Sequence, residues 1–173
     1  MLKKHLILFV FAVFVQFIGF AQSNFYDVDS LREIRIYFYD YNWDYQLDSL
    51  YVQGDNERIL ADLIIDGSLY DSVGVRYKGF SSVSVNRVKN PFNIKLDYVI
   101  DGQDHDGVDK LKLSNVIQDP SFVREVLTYE IAANYLPSAK ANYANVYVND
   151  TLWGLYTNVQ AVNKGFLNDH FGN

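Results

Sequence analysis

The chain has 173 residues, 49% of them hydrophobic, with 15 lysines and arginines against 21 aspartates and glutamates. This composition is typical of a globular protein, and the net charge of −6 argues against a nucleic-acid partner, whose phosphates would be repelled. The absence of cysteine excludes disulfides, thiolate metal sites, a cysteine nucleophile and a lipoprotein anchor.

Residues 1–21 have the pattern of a secretory signal. A basic start, MLKKH, precedes the apolar run LILFVFAVFVQFIGF, and the small residue Ala21 comes just before Gln22. The run has about 15 residues, fewer than the roughly 20 that cross a membrane as a helix. We therefore expect a mature domain of residues 22–173 that is exported to the periplasm, cell surface or medium and keeps no stable membrane span. A retained membrane anchor is the alternative.

The remaining sequence predicts strands separated by two short helices and one longer helix. Alternation of apolar and polar residues predicts strands at 32–40, 57–67, 68–79, 90–97, 110–114, 141–150 and 151–160. Asp66-Gly67 and Asn149-Asp150 predict hairpin turns. Helices are predicted at 42–51, at 120–136 with Asp119 as N-cap, and at 163–171. This order indicates an α+β domain, an antiparallel sheet with one main packed helix.

One acidic residue interrupts the apolar side of the predicted helix 120–136. Glu130 lies within the stripe formed by Val123, Val126, Leu127 and Ile131. A carboxylate that faces a sheet needs a partner, and Lys95, on the polar side of the strand NPFNIKLD, is the leading candidate. Arg76 and Lys78 are competitors. Alternatively, Glu130 lies at the edge of the stripe and reaches water.

Several stretches of the chain resemble the CotH family of atypical protein kinases. They are IRIYFYDYNWDYQLDSLY, VGVRYKGFSS, KNPFNIKLD, DKLKLSNVIQDPSFVREVLTYEIA and ANVYVNDTLWGLYTNVQAVNKGFL. The resemblance implies the N-terminal lobe of a divergent kinase-like fold. It also implies a secreted or surface enzyme that transfers the γ-phosphoryl group of ATP, with Mg²⁺ or Mn²⁺, to a hydroxyl of a protein substrate.

The resemblance also implies which residues bind the nucleotide. Lys95 matches the family's strand lysine and Glu130 its helix glutamate, which in kinases orients the lysine toward phosphate. Gly79, Ser81 and Ser82 match a loop that would contact phosphates through N–H groups and hydroxyls. Arg124 matches a motif arginine, to which we assign a structural role.

The chain departs from the family pattern at three positions. Phe80 replaces an asparagine of the loop, and Gln160 and Asn163 replace a glutamate and an aspartate. Kinases carry the catalytic and metal-binding aspartates in a second lobe, for which we find no counterpart here. We therefore expect neither catalytic residues nor metal ligands in this chain, and no turnover by it alone.

Two other functions remain open from the sequence. A surface or coat-type interaction module without an active site is favoured by the two amide substitutions. A carbohydrate-binding β-module is the other, and it is suggested by the abundant tyrosines and the predicted export.

The acidic loop DGQDHDGVD has some features of a calcium site. However, Gly102 breaks the alternation of ligands that an EF-hand loop requires, and Lys112 stands where a glutamate is needed. A solvated turn is therefore the better interpretation.

Overall fold

The computed structural model describes residues 24–55 and 57–172, so the predicted signal segment 1–21 lies outside the described residues. Three helices accompany the sheet: α1 (Trp43–Val52), α2 (Arg124–Ala132) and α3 (Lys164–Phe171). The strands are β1 (Leu31–Phe38), β2 (Ile59–Ile65), β3 (Ser68–Tyr77), β4 (Phe92–Lys95), β5 (Lys110–Ser114), β6 (Ala141–Val148) and β7 (Thr151–Gln160). The predicted α+β content is confirmed. Within the described ranges, no helix has the length and apolar character needed to span a membrane.

The sheet closes into a barrel, and this corrects the predicted fold. Its strands follow the order β1-β2-β3-β4-β5-β7-β6, and parallel pairing of β1 with β6 joins the two ends. All other neighbouring pairs are antiparallel. An open antiparallel sheet like that of a kinase N-terminal lobe is therefore wrong for this chain. The alternation of side chains identifies strands but does not specify their partners, so closure was not visible in the sequence.

The strands bury every second side chain inside the barrel. The largest fully buried side chains include Tyr156, Phe92, Ile34, Ile36, Leu63, Ile65, Ile94, Leu111 and Leu113. In a strand, the residues between these must point outward, because successive side chains alternate between the two faces. In β4 and β5 the outward residues are Asn93, Lys95, Lys110 and Lys112.

Both ends of the barrel are covered. At one end, the Asn142 side-chain amide donates to the carbonyl oxygens of Phe25 (2.8 Å) and Asp27 (3.1 Å), and Asn158 donates to Asn142 Oδ1 at 3.0 Å. At the other end, α1 inserts Trp43, whose ring stacks on Phe38 with a centroid distance of 4.5 Å. These contacts cap the two ends of the barrel.

Helix α2 packs on the outside of the barrel and is shorter than the predicted helix 120–136. Its buried residue is Val126, which contacts Ala141 and Val159, while Asp119 accepts hydrogen bonds from the backbone of Ser121 and Arg124 ahead of the helix. Three of the four residues predicted to form its apolar side are exposed: Val123, Leu127 and Ile131. The helix is therefore rotated relative to the prediction.

Replacing Asn142 tests the closed end of the barrel. Asn142→Ala should lower the free energy of unfolding by about 1–3 kcal/mol, because it leaves two carbonyls and the Asn158 amide without their partner in a buried place. Asn145→Ala, on the outer face of the same strand, is the matched control and should change stability by less than about 0.5 kcal/mol. Urea unfolding followed by tryptophan fluorescence measures both, and equal effects would contradict a role for Asn142 in closing the barrel.

Candidate functional site

Cations gather on the outer side of β3, β4 and β5. Lys95 and Lys110 are directly opposed across β4 and β5, and Lys112 is opposed to Asn93, which in turn is opposed to Arg76 of β3. Opposed residues of antiparallel strands have Cβ atoms about 4.5–5.5 Å apart, so these side chains are neighbours. We call this surface the cationic face; its members are Arg58, Arg76, Lys78, Lys95, Lys110 and Lys112.

The positive charges of this face act on one another. The pKa of Arg58 is lowered to about 10, first by burial and second by Arg76. Burial also lowers the pKa of Lys78, Glu125 opposes that effect, and Lys112 adds to it. Like charges placed this closely destabilise the folded chain unless an anion lies between them. The cationic face stands out because the chain as a whole is acidic.

Arg58 links β3 and β4 through hydrogen bonds beneath the cationic face. Its guanidinium donates to the carbonyl oxygens of Gly74 (2.9 Å) and Asn93 (2.7 Å) and to Asn93 Oδ1 (2.9 Å). Three bonds fix its position against β3 and β4, so its role is to hold the face and add charge to it.

Lys78 is connected to helix α2 through a serine. Lys78 Nζ donates to Ser114 Oγ at 2.8 Å, and Ser114 Oγ donates to Glu125 Oε1 at 3.2 Å. Lys78 follows β3, Ser114 ends β5 and Glu125 lies in the first turn of α2, so three elements meet here. A strand lysine and a helix glutamate are thus linked, as the sequence suggested, but through other residues than those predicted.

The predicted pair of Lys95 and Glu130 does not form in the part of the chain that the structure describes. Lys95 Nζ lies 3.6 Å from Asp97 Oδ1, and Glu130 is exposed. Glu130 instead acts on Tyr143 of β6, whose pKa is raised first by burial, then by Asp119 and last by Glu130. The reason is the rotation of α2: Val126 faces the barrel, which turns Glu125 toward β5 and leaves Glu130 at the solvent side.

Glu125 and Ser114 were missed by sequence reasoning, which considered Glu130 as the acidic residue of this helix. The available signal was Lys78, a competitor for the acidic partner, whose position at the end of β3 puts it beside the end of β5. The sequence could not supply the rotation of α2 that brings Glu125 to them.

The loop after β3 lies beside Lys78. Gly79 has φ of +88°, and a Cβ there would collide with Ser82 Oγ, so this position requires glycine. The Ser82 carbonyl accepts from the Asn115 side chain at 3.0 Å, Ser81 is exposed, and Phe80 is 95% exposed. The loop residues predicted to bind the nucleotide are therefore next to the cationic face, with an unpredicted asparagine holding them.

Lys89 is a further cation of this region that sequence reasoning missed. Its Nζ donates to the Leu155 carbonyl at 2.6 Å and lies over the rings of Phe122 (5.0 Å) and Tyr156 (4.7 Å). Burial lowers its pKa. Because its ammonium is engaged with one carbonyl and two ring faces, Lys89 anchors the end of the loop to β7.

The two amides that replace acids of the family pattern make structural hydrogen bonds. Gln160 Oε1 accepts from the Lys140 backbone at 3.1 Å. Asn163 Oδ1 accepts from Phe166 N at 3.1 Å as the N-cap of α3, and its amide donates to Asp109 at 3.0 Å. Within residues 24–55 and 57–172, no group of three or more histidines, aspartates or glutamates is placed to hold a metal ion.

Comparison with known proteins assigns the family. A search of curated proteins found no match. The family model described as CotH kinase protein matches residues 75–173, which is more than half of the chain. The matched range begins in β3 and includes Lys78, Ser114 and Glu125. The chain therefore belongs to the CotH kinase protein family.

Proposed function

We propose that this chain is the nucleotide-binding part of an exported atypical protein kinase, and that the cationic face binds the phosphate groups of ATP. The single observation that carries the proposal is the set of like charges that oppose one another across β3, β4 and β5. Family membership supplies the reaction: transfer of the γ-phosphoryl group to a hydroxyl of a protein substrate.

The charge arrangement supports a polyanionic ligand rather than a structural role for the lysines. Lys95 and Lys110 are opposed on neighbouring strands, and the pKa of Lys78 is lowered first by burial and further by the charge of Lys112. Asp97 and Glu125 offset part of the repulsion within these pairs, and a phosphate chain placed along them would offset more of it. The Ser114–Glu125 link fixes the Lys78 ammonium where the loop 79–82 begins.

The residues present fit the phosphates of the cofactor better than its metal. Lys78, Lys95 and Lys112 would contact phosphate oxygens, and the backbone of Gly79 to Ser82 would add N–H donors. Mg²⁺ or Mn²⁺ brought with the nucleotide would neutralise phosphate charge when bound. The chain's own contribution is to bind and orient the phosphates, and we assign no catalytic base to it.

A second candidate function is a surface or coat-type interaction module. It is favoured by the exposed apolar residues on the outer side of α2, Val123, Leu127 and Ile131, which are about half exposed. The amides Gln160 and Asn163, engaged in structural bonds, fit a module without an active site. If the chain is such a module, the cationic face should bind nucleoside triphosphates no better than other anions.

Calorimetric titration with ATP and Mg²⁺ or Mn²⁺ tests the first function. We expect binding by the wild-type chain that weakens as the ionic strength rises, since exposed charges are screened. Lys78→Met and Lys112→Met should each weaken binding about tenfold to hundredfold, as expected for a lost hydrogen bond to a charged group. Lys95→Met tests the lysine that the family resemblance selects.

The matched control is Lys140→Met, which removes an exposed lysine outside the cationic face. It should change the affinity by no more than about twofold. No heat of binding with ATP, or equal affinity of wild type, Lys78→Met and Lys112→Met, would refute phosphate binding at this face and favour the interaction module.

Removing the Glu125 charge should change how binding depends on pH. Glu125 raises the pKa of Lys78, so Glu125→Gln should lower that pKa, and Lys78 should lose its proton at a lower pH than in the wild type. The alkaline fall in ATP affinity should then begin at a lower pH. Glu130→Gln, on the exposed side of the same helix, should leave the pH profile unchanged; an equal shift in both variants would contradict the Lys78–Ser114–Glu125 link.

A further inference from the structure

Helix α1 makes hydrogen bonds to two residues, Tyr77 and Phe80, that lie on either side of Lys78 in the sequence. The Tyr51 hydroxyl, near the end of α1, donates to the Phe80 carbonyl at 2.8 Å. In the first turn of α1, Asp44 Oδ1 accepts from the Tyr77 hydroxyl at 2.8 Å. Tyr77 and Phe80 lie on either side of Lys78 and Gly79 in the chain, so α1 fixes the position of Lys78 from both sides.

Asp48 lies one helical turn after Asp44 and has a poorly satisfied carboxyl. Its Oδ1 is buried and has no hydrogen-bond partner among the described residues. Burial and the negative charge of Asp44 raise the pKa of Asp48, and a contact with the Tyr77 hydroxyl opposes them. Folding therefore disfavours the ionised form of this carboxyl relative to the unfolded chain.

The groups acting on this carboxyl come from both packed elements. Asp44 contributes from α1 itself and Tyr77 from β3. A cavity of about 500 Å³ beside α1 is lined by Asp55, Glu57 and Arg76, which are the charged groups on that side. The two named groups act on the Asp48 carboxyl in opposite directions, since Asp44 raises its pKa and the Tyr77 hydroxyl lowers it.

We propose that α1 is a pH-responsive clamp on residues 77–80, with Tyr51 and Asp44 as positioning residues and Asp48 as the group that sets the strength of the clamp. A carboxyl whose pKa is raised by folding stabilises the docked helix when protonated, and this contribution is lost as the pH rises through the raised pKa. Docking of α1 is thus tightest in acid and weaker near neutrality. The consequence for ligand binding, a more mobile Lys78 at neutral pH, rests on the proposed function; the clamp itself does not.

Hydrogen–deuterium exchange of the whole chain tests the clamp without any ligand. The reporter is the Lys78 amide, which donates to the Pro91 carbonyl at 3.1 Å. Between about pH 4 and about pH 7, after correction for the intrinsic exchange rate, protection of α1 and of residues 77–82 should fall together in the wild type. In Asp48→Asn, which cannot ionise at this position, protection of both segments should be independent of pH.

A second variant separates the clamp from general stability. Tyr51→Phe removes one hydrogen bond and keeps the ring, so residues 77–82 should exchange about fivefold to tenfold faster while α1 remains protected. The proposal is overturned if Asp48→Asn keeps the wild-type pH dependence, if α1 responds to pH and residues 77–82 do not, or if Tyr51→Phe leaves residues 77–82 unchanged. Because no nucleotide is present, each of these results is independent of whether the cationic face binds ATP.

Discussion

Closure of the sheet by the parallel pairing of β1 with β6 is the constraint on which the rest of the structure depends. A closed barrel has one inner face, and that face is filled with apolar side chains such as Phe92, Ile94 and Leu111. Every intervening residue of β4 and β5 must then point outward. Since those residues include Lys95, Lys110 and Lys112, closure itself produces the row of opposed cations.

The parts of this fold that obey a local rule could be predicted from sequence. Seven alternating segments and two hairpin turns at Asp66-Gly67 and Asn149-Asp150 match observed strands and connections, because period-two patterning and turn residues act within a few positions. The pairing of β1 with β6 that closes the barrel joins residues more than 100 positions apart, as in Ile34 opposite Val146. The pattern of neither strand identifies the other as its partner.

The candidate site shows the same division. The sequence identified the kind of chemistry, a strand lysine linked to a helix glutamate, and it included Lys78 among the candidates. It selected Glu130 because four apolar residues suggested one buried side of the helix. In the structure Val126 and the partly buried Tyr129 pack α2 against the barrel, and in this orientation Glu125 meets Ser114. The rotation of a short amphipathic helix about its axis depends on the surface against which it packs, and the sequence of the helix does not describe that surface.

The structure shows what replaces the two acids of the family pattern. Gln160 and Asn163 keep the hydrogen bonds that an acid at each position could also make, to a backbone amide and to a helix N-terminus, but they bring no negative charge near β5 and α3. The carboxylates that oppose the charge of the cationic face are instead Asp97, beside Lys95, and Glu125, linked to Lys78 through Ser114. The loop of this face is positioned in part by α1, which precedes the matched range 75–173, so the residues that hold Lys78 in place extend beyond those that define the family.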